Sequence, residues 1–472
     1  MGYFGIPFRN GVPIGLGSVV SFGAQQFDPS ELFVGGTAGA WYDPSDLTTL
    51  FTTSAGTTPV AMPGGGAAVS VGRMLDKSGN GNHAIAFNDT TARPELRARV
   101  NLLTYSEEFD NGAWAKSGLL AFGSGSVANT TATTDPIGGN TADLIVQDSS
   151  AGVHGVTLNP SLAGGVYTGS VYVKTAGSTR VALLFDNAGG TYYAYFDVVA
   201  GTVTGQPGSG GGVASITAAG NGWWRLVISS QTLIAPRAVV YLCQGATNTL
   251  SFTGDGTSGI YIWGADLRPA NIGANVPAYQ RIADANTYDT SGFPLYLRFD
   301  GIDDSMYTPA NLNLSGTDKV SVFAGVRKLS ASTGFVAETS AAAESNNGAF
   351  RVGTDSGGIE YFISSRGTTS QQVNVDNAAY TSPVTNVVQS SFDIAAPLVS
   401  VRINGTAVGS NSGSQGTGNF GTYPLYVGSR NNASFRFDGH LHSLIIAGSA
   451  VSAGNISATE QWVAGKTGIV IP

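Results

Sequence analysis

LVSVRINGTAV, residues 398–408, is the stretch that decides the fold class. Val399, Val401 and Ile403 recur with the period of two that puts side chains on one face of a strand. Asn404-Gly405 follows, the dipeptide that best tolerates the two positive φ angles of a type I′ turn. A strand–turn–strand hairpin is therefore expected here. The same period recurs outward from it. Val320, Val322, Ala324 and Val326 share a face in VSVFAGV. So do Val181, Leu183 and Phe185 in RVALLF, and Tyr192, Ala194, Phe196 and Val198 in TYYAYFDVV. Helical signal is confined to ISATEQWVAGK, where Ser457 and Glu460 read as a capping box and Gly465 as a stop. These signals predict an all-β chain with one short C-terminal helix.

The chain of 472 residues is too long for one ordinary core. Charged residues are 11% and hydrophobic ones 42%, a balance that favours packed sheets over disorder. Its 66 glycines punctuate the apolar runs as turns do. A formal charge of −8 argues against a nucleic-acid surface, which needs a basic stripe. Cys243 is the single cysteine, so no internal disulfide framework exists. No apolar run is long enough to insert into a membrane. The opening residues MGYFGIPFRNGVPIGLGSVVSFG lack the basic start of a signal peptide, and their prolines and glycines prevent a long helix. They read, with the residues up to 38, as an extended apolar attachment arm. Composition changes near residue 100 and again at YQRIADANTYDTSGFP, 279–294.

WYDPSD (41–46) and DKSGNGNHA (76–84) resemble the opening of a laminin-G-like, concanavalin-type jelly roll. The motif expected to follow closely, LRFDGIDDSM, stands instead at 297–306. VSVFAGVRK, VRINGTAV, YPLYVGSR, FDGHLHSLIIAGSAVS and ISATEQWVAGKTG then continue the family pattern in order. The resemblance implies a discontinuous sandwich, 39–99 plus 288–472, with 101–286 inserted in a surface loop. This arrangement requires Trp41 to pack on the 288–472 sheets. The inserted part carries NLLTYSEEFDNGAW, GSVYVKTAG, NGWWRLVIS and IYIWGADLRP, and it resembles a carbohydrate-binding-module sandwich. The combination is similar to modular virion proteins of tailed bacteriophages and prophages. It implies a structural fibre, spike or decoration subunit on the virion surface, assembled in the host cytoplasm. Such a subunit would attach to other virion proteins through residues 1–38, form a homo-oligomer such as a trimer, and display lectin-like domains to host surface glycans. A soluble bacterial carbohydrate-binding adhesin and a polysaccharide depolymerase spike are the alternatives.

No enzyme is expected. The E-x-D-x-x-E strand that places paired carboxylates in glucanases of this fold is absent; Glu338 and Glu344 stand six apart in an Ala/Ser-rich stretch. His440 and His442, two apart on a strand, share a face and read as surface histidines without a third metal ligand. The laminin-G resemblance points to calcium, a hard cation that takes carboxylate, amide and carbonyl oxygens. Asp76, Asn80, Asn82, Asp300 and Asp303 are the donors to consider, against a simpler role in turns. A glycan needs an aromatic platform with polar groups around it. In WWRLVIS, Trp224, Leu226 and Ile228 form an apolar face, which leaves Trp223 with Arg225 as the ligand candidate. Trp114 and Trp263 are further aromatic candidates.

Overall fold

The Asn404-Gly405 hairpin forms with both turn residues at positive φ, 50° and 79°. Leu398–Ile403 pairs with Thr406–Asn411 across it, and the Asn404 amide donates to Asn386 Oδ1 at 2.8 Å. The computed structural model describes residues 27–87, 92–121, 126–185, 193–208, 211–270, 279–356 and 358–472. Tyr192 and most of the expected arm lie outside them. Across the described residues the chain is all-β, with antiparallel sheets stacked as sandwiches and one α-helix.

The hairpin is the edge of a nine-stranded sheet. From that edge inward come Val384–Asp393, Lys319–Lys328, Asp438–Ala447, Tyr296–Asp300, Glu95–Arg97 and Val69–Ser70, with Gly39–Tyr42 also paired to Asp438–Ala447. A second nine-stranded sheet runs from Leu50–Phe51 through Arg73–Met74, Ala84–Ala86, Met306–Tyr307, Leu425–Val427, Gly334–Thr339, Ala349–Thr354 and Tyr361–Arg366 to Ser370–Val375. Strands from before residue 99 are thus hydrogen-bonded to strands from beyond 295 in both sheets. Trp41 pairs with Ile445 and meets Trp462 of the helix edge-on at 5.7 Å. One apolar core holds Trp41, Leu96, Phe299, Val322, Phe350 and Ile445 together.

Lys319–Lys328 is buried on both faces. Val320, Val322, Ala324 and Val326 join the apolar core as their spacing predicts. On the opposite face Gly325 lies under the helix, where a Cβ would meet Thr467 Cγ2 at 2.8 Å and Val463 Cγ1 at 3.0 Å. That helix spans Ala453–Thr467, longer than expected, and its cap is not Ser457. Ser452 caps it through Asn455 N, and Gly468, at φ 75°, ends it. Glu460 does not complete a capping box; it is buried and pairs with Arg402 at 2.9 Å. Of the expected arm, residues 27–38 are described, and they are not extended throughout. Asp28 and Glu31 cap a 3-10 turn, Pro29–Phe33, which buries Leu32 and Phe33 against the first sandwich.

The intervening residues build a second core from Leu103, Phe109, Val171, Phe196, Leu226 and Ile262. It is framed by a six-stranded sheet, Thr202–Gly205, Ala194–Asp197, Arg180–Leu184, Ala238–Cys243, His154–Leu158 and Ala115–Ser117. The facing five-stranded sheet is Val213–Gly220, Trp223–Leu233, Gly165–Ala176, Gly259–Pro269 and Asp143–Val146. Two buried amides tie the neck between the sandwiches. Gln280 Oε1 accepts from Val100 N and Asn101 N at 2.7 and 3.0 Å. Its Nε2 donates to the carbonyls of Ala98 and Asp289. Asn101 in turn donates to the carbonyls of Ala265 and Gln280 and accepts from Leu103 N and Leu267 N.

Candidate functional site

Tyr172 and Trp263 are directly opposite residues of adjacent antiparallel strands, so their side chains emerge on one face. The register slips between Ser170 and Tyr172, and Gly264 sits there at φ 64°, a conformation that glycine adopts without strain. A Cβ at this point would meet Tyr172 Cδ2 at 3.1 Å. This bulge aims Trp263 beside Tyr172, with ring centres 5.2 Å apart. Tyr279 closes the group at 4.6 Å from Trp263 and 6.3 Å from Tyr172. The three aromatics line a cavity of about 530 Å³ whose polar lining includes Glu107, Asp135, Thr141, Arg281 and Asp289. Its volume is in the range of small-ligand sites, roughly 300–1,000 Å³. An adjoining cavity of about 360 Å³ shares Glu107, Thr141 and Arg281.

Hydrogen bonds fix the orientation of this lining. Trp263 Nε1 donates to Thr141 Oγ1 at 2.8 Å. Tyr279 donates to Glu107 Oε1 at 3.0 Å and lies 2.7 Å from Ser106 Oγ. Burial, with the neighbouring Glu107 charge, pushes the Tyr279 hydroxyl well above the usual tyrosine range. Burial also raises Glu107, and Asp135 adds to that shift. Asp135 itself accepts from the backbone N–H of Ile137, Gly139 and Thr141 and from Thr141 Oγ1. It organises a turn.

Of the sequence candidates, Trp263 lines this cavity and Arg225 stands beside it. Its guanidinium lies 5.8 Å from the Tyr172 ring and donates to Ser170 Oγ at 3.2 Å. Trp223 does not line the cavity. It is 1% exposed, as Trp263 is, and donates to the Thr134 carbonyl at 2.9 Å. The face it shares with Arg225 is covered by the chain around Thr134 and Ala142, which periodicity alone does not show. Trp224 is only partly buried, at the border of the inner core. Trp114 is also buried, 4.7 Å from Phe109, and donates to the Tyr105 carbonyl. Tyr172 and Tyr279, which sequence reasoning did not select, supply the aromatic surface instead.

The calcium donors do not form one site. Among the described residues, the group of three carboxylates that approach one another within 4.8 Å is Asp300, Asp303 and Asp304, without Asp76. Both Asp76 oxygens accept hydrogen bonds, from Trp41 N, Ser78 N, Ser78 Oγ and Asn82 N. Asn80 and Asn82 direct their Nδ2 groups at the Gly39 carbonyl. This loop satisfies itself and does not fit a hard cation. In the second turn Asp300 Oδ1 accepts from Ile302 N and Asp303 N, and Asp304 Oδ2 accepts from Asp300 N. Burial, then the Asp300 charge, raises Asp304 to about 7. Its proton relieves the repulsion that a cation would otherwise neutralise. Because the folded pKa lies above the unfolded one, this contribution is complete below the ordinary aspartate range and is lost as pH rises through about 7. Asp304→Asn is expected to flatten the fall in stability between pH 5 and 8 in urea titrations. Asp143, raised to about 7 by burial, keeps part of the slope. His440 and His442 are buried, not surface residues, and burial pushes both toward the neutral form.

No protein-family model matches the chain, and no curated protein matches it. Several solved structures share part of its outline. The CBM40 of Ruminococcus gnavus IT-sialidase, bound to alpha2,3 sialyllactose, is 13% identical, covers 30% of this chain and 83% of its own, and gives a TM-score of 0.26. The native heptameric SAP-like pentraxin from Limulus polyphemus is 13% identical over 35% of this chain and 80% of its own, with a TM-score of 0.29. A structure of botulinum neurotoxin type C, whose cell entry depends on two ganglioside molecules, is 12% identical over 37% of this chain and 43% of its own, again at 0.29. Similarity at this level assigns neither a ligand nor a role to the present chain.

Proposed function

We propose that the chain is a glycan-binding protein, seating sugar rings in the Tyr172–Trp263–Tyr279 cavity of the inserted sandwich. The observation that carries this reading is the composition of that cavity: an aromatic wall, open chiefly at the partly exposed Tyr279, for the C–H faces of a sugar, ringed by carboxylates, a hydroxyl and a guanidinium for its hydroxyl groups. With Asp135 held in a turn and Asp289 paired with Arg281 at 3.4 Å, the reading is of binding without cleavage. We further propose that the chain is carried on a tailed-phage particle, a reading supported by the module resemblance. Many copies on one particle would multiply weak monovalent affinity.

The test begins on a glycan array and continues by calorimetry with the glycans that bind. Tyr279→Ala is expected to weaken binding about tenfold or more, with Trp263→Phe intermediate. Wild-type protein that binds no glycan at millimolar concentration, or a Tyr279→Ala variant that binds unchanged, would overturn the glycan reading. Shortened chains after incubation with the bound polysaccharide would replace binding by depolymerase activity. Antibody labelling of intact particles in the electron microscope tests the second half, which fails if the chain is absent from them.

A further inference from the structure

A second cavity, about 660 Å³, lies between the two sandwiches. Its floor is the outer face of the first sheet, and its roof includes Pro160–Ala163 and Tyr167 of the insert. The floor follows from strand register. Arg298 and Arg327 both stand opposite His440, from strands on either side of it. Arg97 stands opposite Tyr296, two residues before Arg298. Directly opposed residues share a face, so three guanidiniums are gathered on one patch of sheet. Arg99 adds a fourth, against two carboxylates in the lining, Glu95 and Asp300.

The counter-charges are unevenly distributed. Arg97 pairs with Glu95 at 2.5 Å, and Arg298 pairs with Asp438 at 3.0 Å. Among the described residues Arg99 donates to the neutral carbonyls of Asn101 and Leu102. Arg327 is 3% exposed, and its Nε has no hydrogen-bond partner among the described residues. Its cross-strand neighbours are Thr385 and His440, and the ionisable groups acting on it are Tyr296, Tyr167 and Arg298. Among the described residues no carboxylate forms an ion pair with it. A buried cation without a partner is strongly unfavourable, and the Arg298 guanidinium across His440 makes it more so.

We infer that Arg327 is the anchor of an anion subsite, and that its ligand is the carboxylate of an acidic sugar. The planar guanidinium fork matches a carboxylate in two parallel hydrogen bonds. Pro160, Leu162 and Ala163 in the roof offer apolar surface to the attached ring. The inference rests on the glycan-binding reading but places a separate subsite in a cavity that shares no lining residue with the aromatic one. The ligand class then becomes acidic polysaccharide.

The test uses the full chain with glucuronate, galacturonate and N-acetylneuraminate, their neutral counterparts glucose and galactose, and inorganic sulfate and phosphate at matched ionic strength. Carboxylated sugars are expected to raise the melting temperature of the wild-type protein, and the neutral sugars to leave it unchanged. Arg327→Met, which keeps the apolar stem, is expected to unfold no more easily than wild type without ligand. Its affinity for the carboxylated sugars should fall ten- to hundredfold. Arg327→Lys keeps the charge without the fork and should fall partway. Tyr279→Ala should retain the response, which separates this subsite from the aromatic cavity. An equal response to neutral sugars, no response to any sugar acid, or an Arg327→Met variant that responds like wild type would overturn the inference. So would sulfate or phosphate matching glucuronate, since the subsite would then recognise any oxyanion.

Discussion

Arg430→Ala is expected to lower the unfolding free energy by about 3–5 kcal/mol, the loss that follows when one partner of a buried ion pair is removed. Glu338 is fully buried, and Arg430 holds both its oxygens, Nη2 to Oε1 at 2.9 Å and Nε to Oε2 at 3.1 Å. The same guanidinium reaches Glu344 Oε1 at 2.8 Å and lies 4.8 Å from the rings of Phe335 and Phe435. Without it, Glu338 keeps a single donor, Ala343 N at 3.0 Å. Burial already raises the Glu338 pKa, and the guanidinium opposes that rise. In the variant the carboxyl must stay protonated inside the fold, so stability is retained at low pH and lost as pH rises. Urea unfolding at pH 5 and pH 8 should show the larger deficit at pH 8. Arg430→Lys restores charge but neither the fork nor the stacking, and should recover only part. A double variant with Met at 430 and Leu at 338 should recover most of it. A single-variant loss below about 1 kcal/mol at pH 8 would contradict the role given to this pair.

The second large effect is expected at the neck. Gln280→Ala strands the N–H groups of Val100 and Asn101 and the carbonyls of Ala98 and Asp289. Each buried group left unpaired costs about 1–3 kcal/mol, so a loss of about 3 kcal/mol or more is expected even with partial water entry. Gln280→Glu keeps the acceptor and loses the donors, and should lie between. Chemical denaturation measures the loss, and limited proteolysis locates it as new cleavage near residues 98–101 or 280–289. Unfolding within about 0.5 kcal/mol of wild type would mean that the amides do not hold the two sandwiches in register.

The strands were legible because their cause is local. Val399, Val401 and Ile403 bury alternate side chains whatever lies far away in the chain, and Asn404-Gly405 admits few other turns. The composition seams were visible too, and Asn101 and Gln280 stand at them, but nothing in sequence spacing shows that their amides interlock. What escaped reading is what depends on covering elements. Trp223 looked available because an outer sheet face is ordinarily wet; here the Thr134–Ala142 region lies over it. Tyr172 and Tyr279 meet Trp263 only through a long-range register and a bulge. Ser457 resembled a cap because S-x-x-E is the commoner signal, while the helix starts at Ser452 so that Glu460 can reach Arg402. Arg327 was hidden for the same reason: its isolation is a property of the surface between two sandwiches. Glu338 and Glu344, considered first as a catalytic pair and set aside, converge on one guanidinium instead.

The position of Asp438–Ala447 in the first sheet also dictates an order of assembly. Gly39–Tyr42, Tyr296–Asp300 and Lys319–Lys328 all hydrogen-bond to it, so this sheet cannot close until residue 447 has left the ribosome. The inserted sandwich is complete by residue 280 and can fold as a unit long before that. Once it has done so, residues 99 and 281 are neighbours. Glu95–Arg97 then meets Tyr296–Asp300 across a short gap, in place of a chain segment whose closure would be entropically demanding and slow. The insert serves the nascent chain as an internal splint, and the outer sandwich inherits its first long-range strand pair from it.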